Sequence, residues 1–349
     1  MTLIVKILNN KSKSIKHIFI GIAPNHIINF ENLISQDDQI QNTILLNPGH
    51  FEYDKRVWSS VINGSIEMKY GELSTLGKLK YQLHKLSGYR NFIQQIHTKL
   101  LHKNQKYNLY YCNLDDVLTN YVFHQLINED LINENYVVED GVLNYYYPYI
   151  DLKKLKMKRL LCKVMYNINF IPEKEHPTGI SSSIVKGQYV RLPQKALHPE
   201  KSISLPYDEI YYVPDDDTIL IIGQDIMHNA KEGLEYYLKR LELLFEQIQV
   251  IINENSKIVY KPHRNGDFKL ATNLLDSMFN SYELFEDITP IEVCIKEIKP
   301  SQIFSFESSA MLNLKIAIKN HNVKIAVLPF NVKKDVLTNI FKTLEIDIL

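Results

Sequence analysis

The sequence predicts an α/β protein made of two doubly wound parallel-sheet domains facing across a cleft, and three observations carry that prediction. Short apolar, β-branched runs alternate with amphipathic, helix-period segments along most of the chain, the pattern of a parallel sheet covered by helices. The alternation occurs twice, separated by a stretch punctuated by Pro177, Pro193, Pro199, Pro206 and Pro214. The 349 residues also suit about two domains at roughly 100–200 residues each. The predicted division is 1–185 for the first domain, 186–214 for a linker and 215–349 for the second domain.

In the first domain, HIFIGIA (17–23) reads as a strand and Pro24-Asn25-His26 as the turn into a helix over IINFENLISQ, the opening unit of a doubly wound sheet. QNTILL (41–46) is a second strand. The periodic stretch 76–101 is helical, with a break expected near Ser87-Gly88. NLYYC (108–112) is a third strand, 117–127 a helix, and Tyr136–Val138 a strand that runs directly into Glu139-Asp140-Gly141. Next come Tyr145–Tyr147 and Tyr149, then a helix carrying Lys153, Lys154, Lys156, Lys158, Arg159 and Lys163. That basic cluster fits a polyanionic glycan or the inner leaflet of a membrane, and equally a solvated helix face.

The second domain restarts at DTILII (217–222), which ends in Gly223-Gln224. A long amphipathic helix (233–252) follows, then the strand KIVY (257–260), halted by Pro262 with His263 at its mouth. Phe304–Phe306 is another strand end, from which Ser308-Ser309 open an apolar-periodic helix; KIAVL (324–328) and a helix over 332–346 close the chain. Open α/β sheets place ligands at the C-terminal ends of their strands. There the hydroxyls and free N–H groups of Ser308-Ser309 can make an anion site and Glu292 can accept from a ribose diol; taken singly they read as readily as an ordinary N-cap and a first-turn acid complementing the helix dipole, and it is their order and spacing that favour the ligand site. Glu139-Asp140 is an adjacent acid pair at such an edge; like-charge repulsion can raise one carboxyl and suit it to act as a base, although the pair taken alone reads more simply as an acid-acid-Gly turn after a strand.

Composition narrows the class. Hydrophobic residues make up 45% and charged residues 23%, ordinary for a globular chain, and Lys+Arg and Asp+Glu are both 40, so net charge does not call for a nucleic-acid partner. Cys112, Cys162 and Cys294 have no metal or disulfide spacing and fit a reducing compartment. The apolar runs at the N-terminus are too short for a signal or a span. These features predict a cytoplasmic protein, with peripheral association with the inner face of the cytoplasmic membrane as an open alternative.

Glu139-Asp140-Gly141, His263, Glu292 and Ser308-Ser309, taken together and in this order, resemble the motifs of the bacterial sialyltransferases of the lipooligosaccharide and capsule polysialyltransferase kind. Those families share an acid-acid-Gly motif, a His-Pro motif and a later Ser-Ser/Thr pair. The likeness in order and spacing extends over most of the chain. It implies a GT-B fold of two Rossmann-like domains and inverting, metal-free transfer from a CMP-activated sialic acid or related nonulosonic acid to a hydroxyl of a bacterial surface glycan. CMP-sialic acid would be the donor substrate, with no further cofactor. Carried over position by position, Glu139 would be the base and Asp140 its support. His263 would assist departure of the CMP phosphate, Ser308 and Ser309 would hold that phosphate, and Glu292 would grip the cytidine ribose. Gly223, Gln224, Lys261 and Arg264 fall on donor-side loops, while His26 and Tyr145 fall where the acceptor would bind. The sequence departs from the family in one respect: His263 is followed by Arg264, and the proline precedes it.

Two other readings stay open from the residues alone. One is a GT-B transferase using CMP-Kdo or a UDP-hexose; the other is a non-enzymatic two-lobed ligand-binding protein, against which the missing signal peptide counts. Asp215-Asp216-Asp217, a string that resembles a metal-binding motif, lies ahead of its strand, away from the ligand edge.

Overall fold

A computed structural model describes residues 15–66, 75–100, 105–224, 233–263, 268–287, 289–320, 322–330 and 335–349. The chain forms two compact units that divide between Tyr207 and Asp208. Arg264 lies outside the described residues.

The first unit holds β1 (Lys16–Ile20), α1 (Pro24–Gln36), β2 (Thr43–Asn47), β3 (Ser60–Asn63), α2 (Thr75–Lys99), β4 (Tyr107–Tyr111), α3 (Val117–Asn128), β5 (Ile132–Val138), α4 (Leu152–Tyr166), β6 (Gly187–Val190) and β7 (Ser202–Ser204). Its seven strands are all parallel, in the order β3-β2-β1-β4-β5-β6-β7. β2 and β4 are buried at every position, as central parallel strands covered on both faces must be. Alternation along β1 divides the core. Ile18 and Ile20 face Leu109, Tyr111 and the helix α2, while Phe19 packs on Phe30 and Trp58 and stacks on Tyr110 at 4.4 Å. The helix starts follow local chemistry: Pro24 occupies the first turn of α1, and the Asp116 carboxylate caps α3 by accepting from the N–H groups of Leu118 and Thr119.

The second unit holds β8 (Asp215–Ile222), α5 (Leu234–Gln249), β9 (Lys257–Lys261), α6 (Phe268–Met278), β10 (Glu283–Leu284), α7 (Ile291–Ile298), β11 (Pro300–Phe306), α8 (Ser309–Ala317), β12 (Lys324–Leu328), α9 (Asp335–Thr343) and β13 (Asp347–Ile348). Its six parallel strands run β10-β9-β8-β11-β12-β13. Asp215–Asp217 are exposed at the N-terminal edge of β8, opposite the edge where its buried half ends at Ile222.

Each sheet follows the same plan. The chain winds outward from its first strand, then crosses back to place its fourth strand on the other side. The resulting switch points lie between β1 and β4 and between β8 and β11, where open α/β sheets bind ligands.

Two sequence expectations differ from this architecture. Residues 187–204, inside the expected linker 186–214, form β6 and β7 of the first sheet. Pro193 and Pro199 there begin short 3₁₀ turns between two paired strands, so they mark corners within a domain. The expected break at Ser87-Gly88 is absent: α2 runs unbroken through it because the flanking Leu86 and Tyr89 bury into the core and the Tyr89 hydroxyl donates to Asp116 Oδ2 at 2.5 Å.

Candidate functional site

In the first unit the acid pair lies at the end of β5, beside the β1/β4 switch point. Gly141 has φ of 55°, a left-handed conformation that lets the chain turn at once into the 3₁₀ turn Gly141–Tyr145, and glycine adopts it without the steric cost other residues meet. Strand alternation sends the two carboxylates in opposite directions. Glu139 is fully buried. Its Oε1 accepts from Arg191 Nη1 at 2.5 Å, and its Oε2 accepts from the Arg191 N–H at 2.8 Å and from the Tyr145 hydroxyl. Asn29 completes the arrangement: its Oδ1 accepts from Arg191 Nη2 at 2.8 Å and its Nδ2 donates to the Glu139 carbonyl at 3.3 Å.

Asp140 is the accessible member, its side chain 26% exposed. Its Oδ1 lies 3.2 Å from His26 Nε2, its Oδ2 accepts from Asn113 Nδ2 at 3.2 Å, and its backbone N–H donates to Asn144 Oδ1 at 2.8 Å. A carboxylate can only accept, so Nε2 carries the proton in the His26 contact. His26 is buried at the start of α1 and its Nδ1 has no partner. Asp140 is thus held by residues following β1, β4 and β5, with one edge open to solvent. Cys112, buried beneath it, has its thiol pushed well above the ordinary range by burial and by the nearby Asp140 and Glu139 carboxylates, so it is no nucleophile.

In the second unit the loops after β8, β9 and β11 converge at the β8/β11 switch point. The Gly223 N–H donates to the Lys261 carbonyl at 2.8 Å. A Cβ on Gly223 would come within 2.6 Å of the Tyr260 hydroxyl, 3.1 Å of His263 N and 3.2 Å of Pro262 Cα, so only glycine lets the β8 loop approach the His263 loop this closely. Gln224 Nε2 donates to Ser305 Oγ at 3.0 Å, and Ser305 Oγ donates to the Ile222 carbonyl at 2.7 Å, bridging the two strands of the switch point. Lys261 is buried, with its Nζ over the Phe285 ring at 5.1 Å and donating to the Asp287 carbonyl ahead of α7. Glu292, in the first turn of α7, accepts from Asn313 Nδ2 at 2.8 Å. Ser308 is the N-cap of α8, yet its hydroxyl makes no capping bond; its buried Oγ has no partner, nor does Asn313 Oδ1. A buried orphan hydroxyl at a helix N-terminus fits a bound anion.

The structure therefore gathers His26, Glu139, Asp140 and Tyr145 in one cluster, and Gly223, Gln224, Lys261, His263, Glu292, Ser308 and Ser309 on the loops at one sheet edge. Two roles expected from the sequence are corrected. Glu139 is unsuited to be the base, because it is sealed from solvent and both its oxygens are taken by Arg191 and Tyr145. Tyr145 is unsuited to contact an acceptor: it is 3% exposed, its hydroxyl is engaged by Glu139, and burial with that carboxylate raises its pKa so that it stays a donor. Arg191, Asn29, Asn113, Asn144, Ser305 and Asn313 carry no motif and were not read from the sequence. Arg191 follows β6 directly, so recognising 187–190 as a strand would have placed it on the same edge.

A family model described as alpha-2,8-polysialyltransferase matches residues 17–327. A search of curated proteins finds no match. Among solved structures, the chain is similar to the GT-B domain of a sialyltransferase from Photobacterium damselae, with TM-score 0.52 and 12% identity over 95% of this chain and 98% of that one. It is also similar to an α/β-galactoside α-2,3-sialyltransferase from Photobacterium phosphoreum, with TM-score 0.50 and 11% identity over 95% and 97% of the two chains. At these identities the likeness is one of fold. The family match spans the first sheet, the second sheet as far as β12, and every candidate residue described, and with it the protein belongs to the alpha-2,8-polysialyltransferase family, glycosyltransferases of sialic acid, here on a GT-B fold.

Proposed function

We propose that this protein moves a sialic acid, or a related nonulosonic acid, from a CMP-activated donor to a hydroxyl of a sialylated glycan, inverting the anomeric carbon without a metal ion, with Asp140 as the base. The observation that carries the reading is the contrast within the acid pair. Asp140 alone reaches solvent, and it is steadied by His26 and Asn113 at a switch point. The acceptor O–H gives its proton to the Asp140 carboxylate while its oxygen bonds to the anomeric carbon. The bond from that carbon to the phosphate oxygen breaks, and its electron pair leaves with CMP. Charge builds on the leaving phosphate, where the α8 N-terminus, the Ser308 hydroxyl and Lys261 supply compensation and His263 hydrogen-bonds or protonates the departing oxygen. Glu292, already fixed by Asn313, keeps an oxygen for the ribose diol. The family description supports α-2,8 linkage to a terminal sialic acid, and hence an acceptor that is a bacterial surface sialoside.

The test is turnover of CMP-sialic acid, CMP-Kdo and a UDP-hexose in parallel, each with a short sialoside acceptor and with chelator present. Consumption of CMP-sialic acid alone, giving a product one or more sialyl residues longer, is the expected result. Turnover of the UDP-hexose with CMP-sialic acid untouched would overturn the donor assignment, and dependence on added metal would overturn the metal-free step.

A further inference from the structure

α4 presents a face to solvent that the transfer chemistry does not use. Its inner side is anchored: Cys162 is buried, Leu155 packs on the core, the Tyr166 hydroxyl donates to the Leu83 carbonyl at 2.9 Å, and Lys158 Nζ lies 4.7 Å from the Phe170 ring centroid. Its outer side carries Met157, Leu160 and Val164, which are 60%, 62% and 73% exposed. Spaced three and four residues apart, they form one stripe along the helix. Exposed Lys153, Lys156, Arg159 and Lys163 lie along and beside that stripe, and the helix contains no acidic residue. At its N-terminal end Leu152 is 50% exposed and Tyr149 is 93% exposed, an aromatic ring standing in solvent with no core to explain it. Among the described residues no helix is long and apolar enough to cross a membrane.

Three occupants would cover such a face differently. A second copy of this chain, docked face to face, would bring the two basic helices against each other, and nothing on α4 would neutralise them. A polyanionic glycan would satisfy the cations but leave the aliphatic stripe and Tyr149 in water. An anionic bilayer satisfies both: aliphatic tips enter the headgroup boundary, lysine stems lie along it, their ammonium groups meet lipid phosphates, and a tyrosine sits at the interface.

We infer that the outer face of α4, from Tyr149 to Val164, is a docking surface for an anionic lipid bilayer. The same helix is tied to the candidate base. Lys158 Nζ binds Asp115 Oδ1 at 2.9 Å, and two residues earlier Asn113 holds Asp140. A docked α4 therefore sets the height of Asp140 above the lipid surface. On the transfer reading given above, this fixes where the base meets an acceptor relative to the lipid surface.

The experiment is co-sedimentation of the full chain with vesicles of phosphatidylcholine containing about a third phosphatidylglycerol, against pure phosphatidylcholine vesicles, with salt varied. Two variants accompany it, Leu160→Glu/Val164→Glu and Lys156→Glu/Lys163→Glu, each checked for an unchanged thermal melt and for unchanged turnover of a short, water-soluble acceptor. The expected result is binding to the anionic vesicles only, weakened at least about tenfold by either variant, given about fivefold for each lysine withdrawn from an anionic surface. Failure of the folded protein to sediment with anionic vesicles overturns the inference. So does binding that the Leu160/Val164 variant leaves intact, which would make the patch a polyanion site, and so does a dimer in solution that this variant splits, which would assign the face to a second copy. Vesicle binding is read without any donor, so a failed donor assignment and a failed docking surface give separate signatures.

Discussion

The two switch points of this protein are built on one topology but finished differently. At the end of β5 the carboxylates are closed in: Glu139, Arg191, Tyr145 and Asn29 form a sealed set, and Asp140 is held by His26, Asn113 and Asn144, with His26 Nδ1 buried and left without a partner. At the edge of the second sheet the framework is equally tight, through Gly223, Ser305 and Lys261, but the groups facing outward are left incomplete, with Ser308 Oγ and Asn313 Oδ1 buried and unpartnered. The contrast fits a division of labour. A base must be held in position before substrate arrives, since its pKa and direction determine the rate. A nucleotide site gains affinity by keeping donors for the nucleotide, because a hydroxyl already engaged within the protein gives little to a ligand.

The largest effect that tests this contrast is on the base. Asp140→Asn keeps the shape and the Asn113 and His26 neighbours but removes proton acceptance, so kcat for sialyl transfer is expected to fall by about 10²–10⁴-fold with CMP affinity and the melting temperature little changed. Glu139→Gln should show the reverse balance. It withdraws the anion from a buried guanidinium, and breaking such a pair costs about 3–5 kcal/mol, to be read as a lower urea midpoint, with turnover falling as Asp140 loses its footing. A Glu139→Gln protein that melts like the wild type but is inactive, beside an active Asp140→Asn, would exchange the two roles.

This pair also shows where sequence reading reaches and where it stops. The alternation of apolar runs placed most of the central strands and the helices around them to within a few residues, because buried parallel strands must be apolar and their helices amphipathic. β10 and β13, two residues each, lack the length to show a period, and β6 was hidden because prolines at 193 and 199 look the same at a corner within a sheet as in a linker. Glu139-Asp140-Gly141 was legible as a unit. Which carboxylate faces solvent was not, because it depends on Arg191, fifty-two residues later, which arrives beside Glu139 only through the pairing of β5 with β6. Likewise the helix start at Ser308 was readable, whereas its unpartnered hydroxyl is a property of the fold.

A smaller effect separates framework from ligand groups in the second unit. Ser308→Ala removes a hydroxyl with no protein partner, so the melting temperature should hold while CMP binding weakens about tenfold, the usual worth of one hydrogen bond to a charged group. Ser305→Ala should instead destabilise by about 1 kcal/mol, because its hydroxyl links Gln224 to the Ile222 carbonyl. Calorimetry with CMP beside urea titrations reads both. Equal losses of stability in the two variants would mean that the Ser308 hydroxyl is part of the framework after all.

The smallest effect lies in pH, and it is asymmetric between the units. His17, His124 and His176 all belong to the first unit, and burial lowers each from its ordinary value of 6.5; the backbone hydrogen bond of His176 to Tyr146 only partly offsets this. A folded pKa below the unfolded one means that the unfolded chain takes up protons the fold resists. Stability is then full above about pH 6.5 and is lost as the pH falls below it. Glu173 has the opposite sign: burial and Glu175 raise its carboxyl, so the folded protein holds that proton more firmly and regains some stability in more acidic solution. The urea midpoint is therefore expected to drop between about pH 7 and 5 and then to level off. Limited proteolysis across that range should cut the first unit before the second; a second unit that opens first would show that the buried histidines do not set the acid sensitivity.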